Sequence, residues 1–265
     1  MNVVRYYFTL VAVCGDSVLI IWIFLQRRII MRKLSINEVK RAAREGLKEH
    51  ENFRTVFGSL LVGGLIQVVA MVLIVLAFRS WFTLIAAAFL IYCVDGVFKY
   101  GVASVTLTAA SGGRVEFSAA FSGFHNLGCS FSANFLQNLY LTLWALLPCI
   151  PILLSIFIPF PSFLYIPIFL AAYVLVVIKS YSYSMAYFLL CDRPYIFGGK
   201  EAIALSRKMT DGNKVTLFLL DLSFIGWFLL SILSFGILWI VYVNAYYNTA
   251  RAYLFIQIQK QYYKS

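Results

Sequence analysis

Residues 56–78 read VFGSLLVGGLIQVVAMVLIVLAF, a stretch without a charged side chain. A helix needs roughly 20 mostly apolar residues to cross the hydrocarbon of a bilayer, and this stretch meets that length. Working outward, Arg79, Ser80 and Trp81 mark a tight turn into a second apolar run, Trp81 to about Tyr100. Two more runs follow, Ala133 to Ile158 and Phe163 to Leu190, joined at Pro159-Phe160-Pro161. Val215 to Ile256 is too long for one crossing and is expected to form a hairpin turning near Ser234-Phe235-Gly236. The reading is an all-α, polytopic transmembrane helix bundle with about six spans.

Composition agrees. The 265 residues are 62% hydrophobic and 12% charged, against roughly 45–50% and 25% in soluble domains. A core able to bury so much apolar surface would exceed what a chain of this size encloses, so a water-soluble fold is excluded and the bilayer is the required partner. The net charge of +11 could suggest nucleic acid, and the placement of the 22 basic residues decides against it. Nine lie between Arg27 and Arg54 and five between Arg193 and Lys214, in short segments flanking apolar runs. Lysine and arginine stay on the cytoplasmic side of a membrane. With both flanks of the six-span core inside, only Arg5 and Arg79 fall outside. The expected setting is a membrane with both flanks of the core cytoplasmic, and with anionic lipid at its cytoplasmic face as a further partner. No nucleic-acid role is expected, and the sequence names no protein partner.

The first 30 residues leave alternatives open. Tyr7 to Gln26 is a candidate seventh span, interrupted by Asp16. A signal peptide would need a small-residue cleavage site before the basic stretch, and none precedes it. A third reading starts the native protein at Met31, because Arg27-Arg28-Ile29-Ile30-Met31 can be back-translated into a ribosome-binding site followed by a start codon. The remainder divides into one membrane domain over 31–256 and a short cytoplasmic tail over 257–265.

An amphipathic helix is expected before the first hairpin. Ser35 and Glu38 form a capping box with Leu34 and Val39 as staple positions. Ile36, Val39, Ala43 and Leu47 share a face, and Lys40, Arg41, Arg44 and Lys48 cover the others. Such a helix is expected to lie flat on the inner membrane surface. Similar short helices precede the second hairpin (Phe117, Ala120, Phe121, Phe124) and the last (Ala202, Leu205, Met209, stopping at Gly212). Ala43, Ala120 and Ile203 each precede a span phenylalanine (Phe57, Phe135, Phe218) by a similar distance. The pattern reads as three repeats of surface helix plus hairpin, roughly 80 residues apart; the alternative is that any membrane hairpin attracts a basic amphipathic lead-in.

Catalytic motifs are lacking: no GxSxG, HExxH, GxxxxGKS or GxGxxG segment occurs. His50 and His125 are too isolated for a metal cluster, and the five cysteines, odd in number and mostly inside apolar runs, suggest neither disulfides nor zinc. No catalytic residue, cofactor or metal is expected. Ionisable residues inside spans are more informative, since each costs about 2.5–3.5 kcal/mol at the bilayer centre unless paired or hydrated. Asp95 and Lys99 stand at i, i+4, the spacing of a local ion pair. Lys179 in the fourth span and Asp221 in the fifth could meet as a buried pair, acting as structural glue or as a relay. Asn244, Asn248 and Arg251 fall on one face of the last helix, and Asn134 and Asn138 share a face in the third span. Such amides commonly tie neighbouring helices together; a polar conduit is the sharper reading.

Several segments also resemble a bacterial integral membrane protein family catalogued as a domain of unknown function, number nine-seven-five. They are LYLTLWALLPCIP (Leu139 to Pro151), KSYSYSMAYFLLCDRP (Lys179 to Pro194), EAIALSRKMTDGNK (Glu201 to Lys214) and LFLLDLSFIGWFLLSILSFGILWI (Leu217 to Ile240). The closing NAYYNTARAYLF is similar too, although Asn244-Ala245-Tyr246 stands where the family has Pro-Tyr. The long apolar insert from Pro151 to Ile178 is a second departure. The resemblance implies a multi-helix membrane fold, a start at the INEVKRAAREGL helix and no catalytic residues; it extends distantly to membrane domains fused to glycerophosphodiester phosphodiesterases. Three functions follow as expectations: a non-catalytic envelope protein associated with transport or with an assembly, a small-solute or ion transporter with an intramembrane polar path, and, last, a lipid-handling enzyme.

Overall fold

The computed structural model describes residues 35–76, 81–147, 150, 165–192 and 198–264, and its compact body begins at Ile36. The segment 1–30, with its questions of a seventh span and of a start at Met31, lies outside the described residues, as do the turns at Arg79-Ser80 and Pro159-Phe160-Pro161. Among the described residues every regular element is helical and no strand occurs. Three of the helical stretches are long and apolar enough to cross a membrane: Ile36–Leu73, Pro167–Asp192 and Lys214–Leu233.

Helix α1 (Ile36–Lys48) starts one residue after Ser35, where the capping pair puts it. It ends in a sharp turn in which His50 and Glu51 take φ of 52° and 56°, a left-handed conformation costly for residues with a Cβ. Asn52 secures that turn. Its buried side chain donates to Gly46 O at 3.1 Å and Gly113 O at 2.9 Å and accepts from Val115 N at 3.0 Å. Helix α2 (Asn52–Leu76) then carries the charge-free stretch. The apolar stripe of α1 faces protein, where lipid was expected. Val39, Ala43 and Leu47 are covered, at 2%, 0% and 4% exposure. Helices α3 and α11 do the covering, so the stripe is spent on the bundle and only the basic face remains to meet a membrane.

Helix α3 (Trp81–Ala110) has 30 residues, about 45 Å at 1.5 Å per residue. It outruns the span expected to stop near Tyr100, and its last turns form a central post against α1, α2 and α11. Gly101 lets α3 pack closely on the segment that follows it: a Cβ there would overlap the backbone of Ala120. The second expected surface helix is a 3₁₀ turn (Phe117–Phe121) and a single α-turn (Ser122–His125, α4). Ala120 is buried, while Phe117 and Phe124 are exposed.

Helix α5 (Leu127–Ala145) leads towards the region outside the described residues, and α6 (Tyr165–Tyr183) returns from it. The helix breaks after Tyr183 and resumes as α7 (Ala186–Asp192). The break is held from α8 (Gly199–Thr210), the third expected surface helix: Ser206 Oγ donates to Ser182 O at 2.8 Å and accepts from Met185 N at 3.3 Å. Backbone freed inside a membrane protein must be satisfied by protein in this way. Ala202 and Met209 of α8 are buried, as its sequence stripe requires, with Leu205 partly covered.

The last hairpin consists of α9 (Lys214–Ser223), α10 (Ile225–Leu233), a π-helical turn (Trp239–Val243) and α11 (Asn244–Tyr262). It turns where expected. Gly236 N bonds to Ser231 O at 2.8 Å and Phe235 N to Ile232 O at 3.1 Å, the paired closure of a helix C-terminus. Phe235 and Gly236 both have positive φ there, 50° and 82°. Helix α11 continues past Ile256, and Tyr246, Ala250, Leu254, Phe255 and Ile258 on it are fully buried. By contrast Val68, Val69 and Leu73 of α2, Phe169 and Leu170 of α6, and Leu229 and Leu233 of α10 are exposed. An apolar surface of this extent demands lipid or a partner.

Candidate functional site

Five of the nine polar residues singled out in the spans meet around one cavity of about 470 Å³: Asp95, Lys99, Asn244, Asn248 and Arg251. Helix α3 supplies the first two. Their i, i+4 spacing places Lys99 Nζ 2.6 Å from Asp95 Oδ2, with both side chains half-buried. Gln67 of α2 donates to Asp95 Oδ1 at 3.5 Å. Gly96 lets α5 come near at this level, since a Cβ on it would stand 2.9 Å from Asn134 Cβ.

Asn134 is the hub of the site. Its side chain is buried and its Oδ1 accepts from Lys99 Nζ at 3.3 Å, Asn138 Nδ2 at 3.0 Å and Tyr187 Oη at 3.3 Å. Its own amide donates to Tyr92 O at 2.9 Å. The amide face on α5 thus fastens α3 and α7, the use that interhelical amides commonly have. One turn further, Gln137 lines the cavity, and its buried Oε1 has no hydrogen-bond partner.

Helix α11 forms the opposite wall. Asn248 Nδ2 donates to Asn244 Oδ1 at 2.7 Å, and Arg251 lies over the Tyr247 ring, 5.4 Å from its centroid. The π-helical turn ends immediately before Asn244; an inserted residue of this kind re-aims the side chains that follow it. Ser180, Ser184 and Tyr187, beside the α6–α7 break, complete the polar lining.

Lys179 and Asp221 stay apart from the cavity and from each other. Lys179 sits over the Trp144 ring at 4.3 Å, and Asp221 accepts from Tyr181 Oη at 2.8 Å and Tyr247 Oη at 2.9 Å. Among the described residues no ion pair joins Lys179 to Asp221, so the pairing considered from sequence gives way to two separate ties. Gln67, Gln137, Ser180 and Tyr187 were not singled out beforehand. Gln67 had a usable signal, because it is an amide in the middle of a stretch otherwise made of apolar side chains, glycine and Ser59. Tyr187 had none, since tyrosine is ordinary in such helices.

A second cluster lies on the basic face of α1. Lys40 Nζ donates to Ser223 O at 2.7 Å and rests over Phe224 at 4.5 Å. Arg44 Nε donates to Tyr246 Oη at 3.1 Å. Partial burial, aided by the charge of Arg44, holds the Lys40 ammonium below its ordinary pKa. Neighbouring Arg44, Lys48 and Arg54 line a groove with Phe53 and Tyr242.

Comparison with curated proteins and with solved structures finds no match in either. A family described as protein of unknown function, DUF975, matches residues 31–262, and the chain belongs to it.

Proposed function

We propose that this protein is a non-catalytic, multi-pass protein of the bacterial cytoplasmic membrane that binds and passes a small polar solute through the cavity between α2, α3, α5 and α11. The observation that carries the reading is the convergence of Asp95, Lys99, Asn244, Asn248 and Arg251 from two distant helices on one cavity. Ionisable groups among apolar helices are costly, and side chains serving only as glue would close on one another and leave no such space. The break between α6 and α7 and the π-helical turn before α11 favour the same view, because irregular backbone at membrane depth goes with a protein-lined path. About six spans, with both flanks cytoplasmic, fit this role. The basic face of α1 and the groove at Arg44, Lys48 and Arg54 would then rest on anionic lipid. The repeat of short helix plus hairpin remains part of this proposal.

A second reading, a membrane component of a larger assembly, draws on the internal ties of Lys179 and Asp221, which engage rings and hydroxyls away from the cavity. Thiol labelling separates the two. In a variant whose native cysteines are replaced by serine, Asn248→Cys and Gln137→Cys are expected to react with a hydrophilic thiosulfonate reagent in intact membranes. Leu229→Cys, on the apolar exterior, is expected to stay unlabelled. Cavity positions that react only after denaturation would end the solute-path reading.

A further inference from the structure

The cavity carries one positive charge that no carboxylate in it balances. Asp95 and Lys99 satisfy each other at 2.6 Å. Arg251, the third ionisable lining residue, has no ion pair among the described residues, and its contact is the ring face of Tyr247. Asp221 does not line the cavity; its two oxygens are taken by the hydroxyls of Tyr181 and Tyr247. Tyr247 therefore meets Asp221 through its hydroxyl and Arg251 through its ring, and the two charges do not pair directly.

A guanidinium presents planar, paired N–H donors whose geometry matches the two oxygens of a carboxylate or phosphate. The lining amides are suited to assist. Asn244 is ordered by accepting from Asn248 through its Oδ1, and the amide of Gln137, whose oxygen has no partner, lines the same cavity. We infer that the cavity takes an oxyanionic group, held in the fork of Arg251 with Gln137 and Asn244 as secondary donors. This rests on the solute-site reading and gives that solute its class: a small molecule or a lipid headgroup bearing a carboxylate or phosphate.

The test uses the full chain, purified in detergent, and follows thermal unfolding by tryptophan fluorescence at constant ionic strength. Chloride is replaced stepwise by inorganic phosphate or acetate. A saturable rise in Tm is expected for the unaltered protein. Arg251→Gln is expected to weaken the apparent affinity roughly tenfold or more, the loss of a charge-assisted contact, with Arg251→Lys intermediate. Should Arg251→Gln fail to fold, Gln137→Leu serves, with a smaller weakening expected. In a parallel arm, nanodiscs of phosphatidylcholine with or without phosphatidylglycerol identify the source: stabilisation by phosphatidylglycerol alone assigns the anion to a lipid headgroup, and stabilisation by free phosphate assigns it to a solute. A shift that survives Arg251→Gln, or no oxyanion-dependent shift in either arm, overturns the inference. In that event a saturable shift with a neutral sugar, abolished by Asn248→Leu, would leave the solute cavity standing, whereas its absence would remove both.

Discussion

Lys99 Nζ lies 3.3 Å from the side-chain oxygen of Asn134, and that oxygen also accepts from Asn138 and Tyr187. One amide on α5 therefore positions the cavity's ammonium group and ties α3 to α7. Interhelical hydrogen bonds in membrane proteins are worth about 0.6 kcal/mol each on average. Asn134→Leu, which forfeits several at once, is expected to lower stability by about 2 kcal/mol in an SDS-unfolding titration. A loss indistinguishable from that of Asn138→Leu would mean that the oxygen is not the hub.

The tie at Asp221 makes a different demand. Double-mutant cycles of Asp221→Asn with Tyr247→Phe are expected to show a coupling of about 0.5–3 kcal/mol, the range for residues in one hydrogen-bond network. The cycle of Asp221→Asn with Lys179→Met is expected to be additive within about 0.5 kcal/mol. Strong coupling to Lys179 and none to Tyr247 would contradict the arrangement of these helices.

Two glycines give a paired test of packing. At Gly101 an added Cβ meets the backbone of Ala120, which cannot move aside cheaply, while at Gly64 it meets nothing. Gly101→Ala is expected to destabilise by about 2 kcal/mol or more, as overpacking does. Gly64→Ala is expected to be neutral or to stabilise by up to about 1 kcal/mol, the helix-propensity gain. Expression level and thermal unfolding in detergent read both.

Lys40 gives a pH dependence of definite sign. Burial and the nearby charge of Arg44 lower its pKa in the folded protein from the ordinary 10.5. Between the lowered value and 10.5 the unfolded chain binds more protons than the folded one, so stability rises with pH in that window. Lys40→Met is expected to flatten the rise. An unchanged slope in the variant would show that another group produces it.

What the residues reveal in order along the chain are quantities that each segment carries alone. The transfer of an apolar side chain into lipid is a local sum, so the stretch 56–78 shows itself long and apolar enough to span, with no knowledge of its neighbours. Turn chemistry is equally local, and the hairpin closes at Ser234-Phe235-Gly236 because backbone bonds at a helix end involve only adjacent residues. The amphipathic stripes of α1 and α8 belong to the same class: Val39, Ala43 and Leu47 share a face whatever covers it.

What covers that face, and which polar groups meet, depends on how helices rotate about their axes and where they approach. Those variables involve residues far apart in sequence. The stripe of α1 is buried by α3 and α11 and not by lipid, and Asp221 lies with two tyrosines while Lys179 lies with a tryptophan. The break after Tyr183 exists because Ser206, from another helix, takes over its backbone groups. Hydrophobicity alone determined that this chain is built of apolar helices with basic ends. Only the packing of those helices decided that Asp95, Lys99 and Arg251 share a cavity, because a polar contact inside a bundle is made by two segments and is encoded in neither.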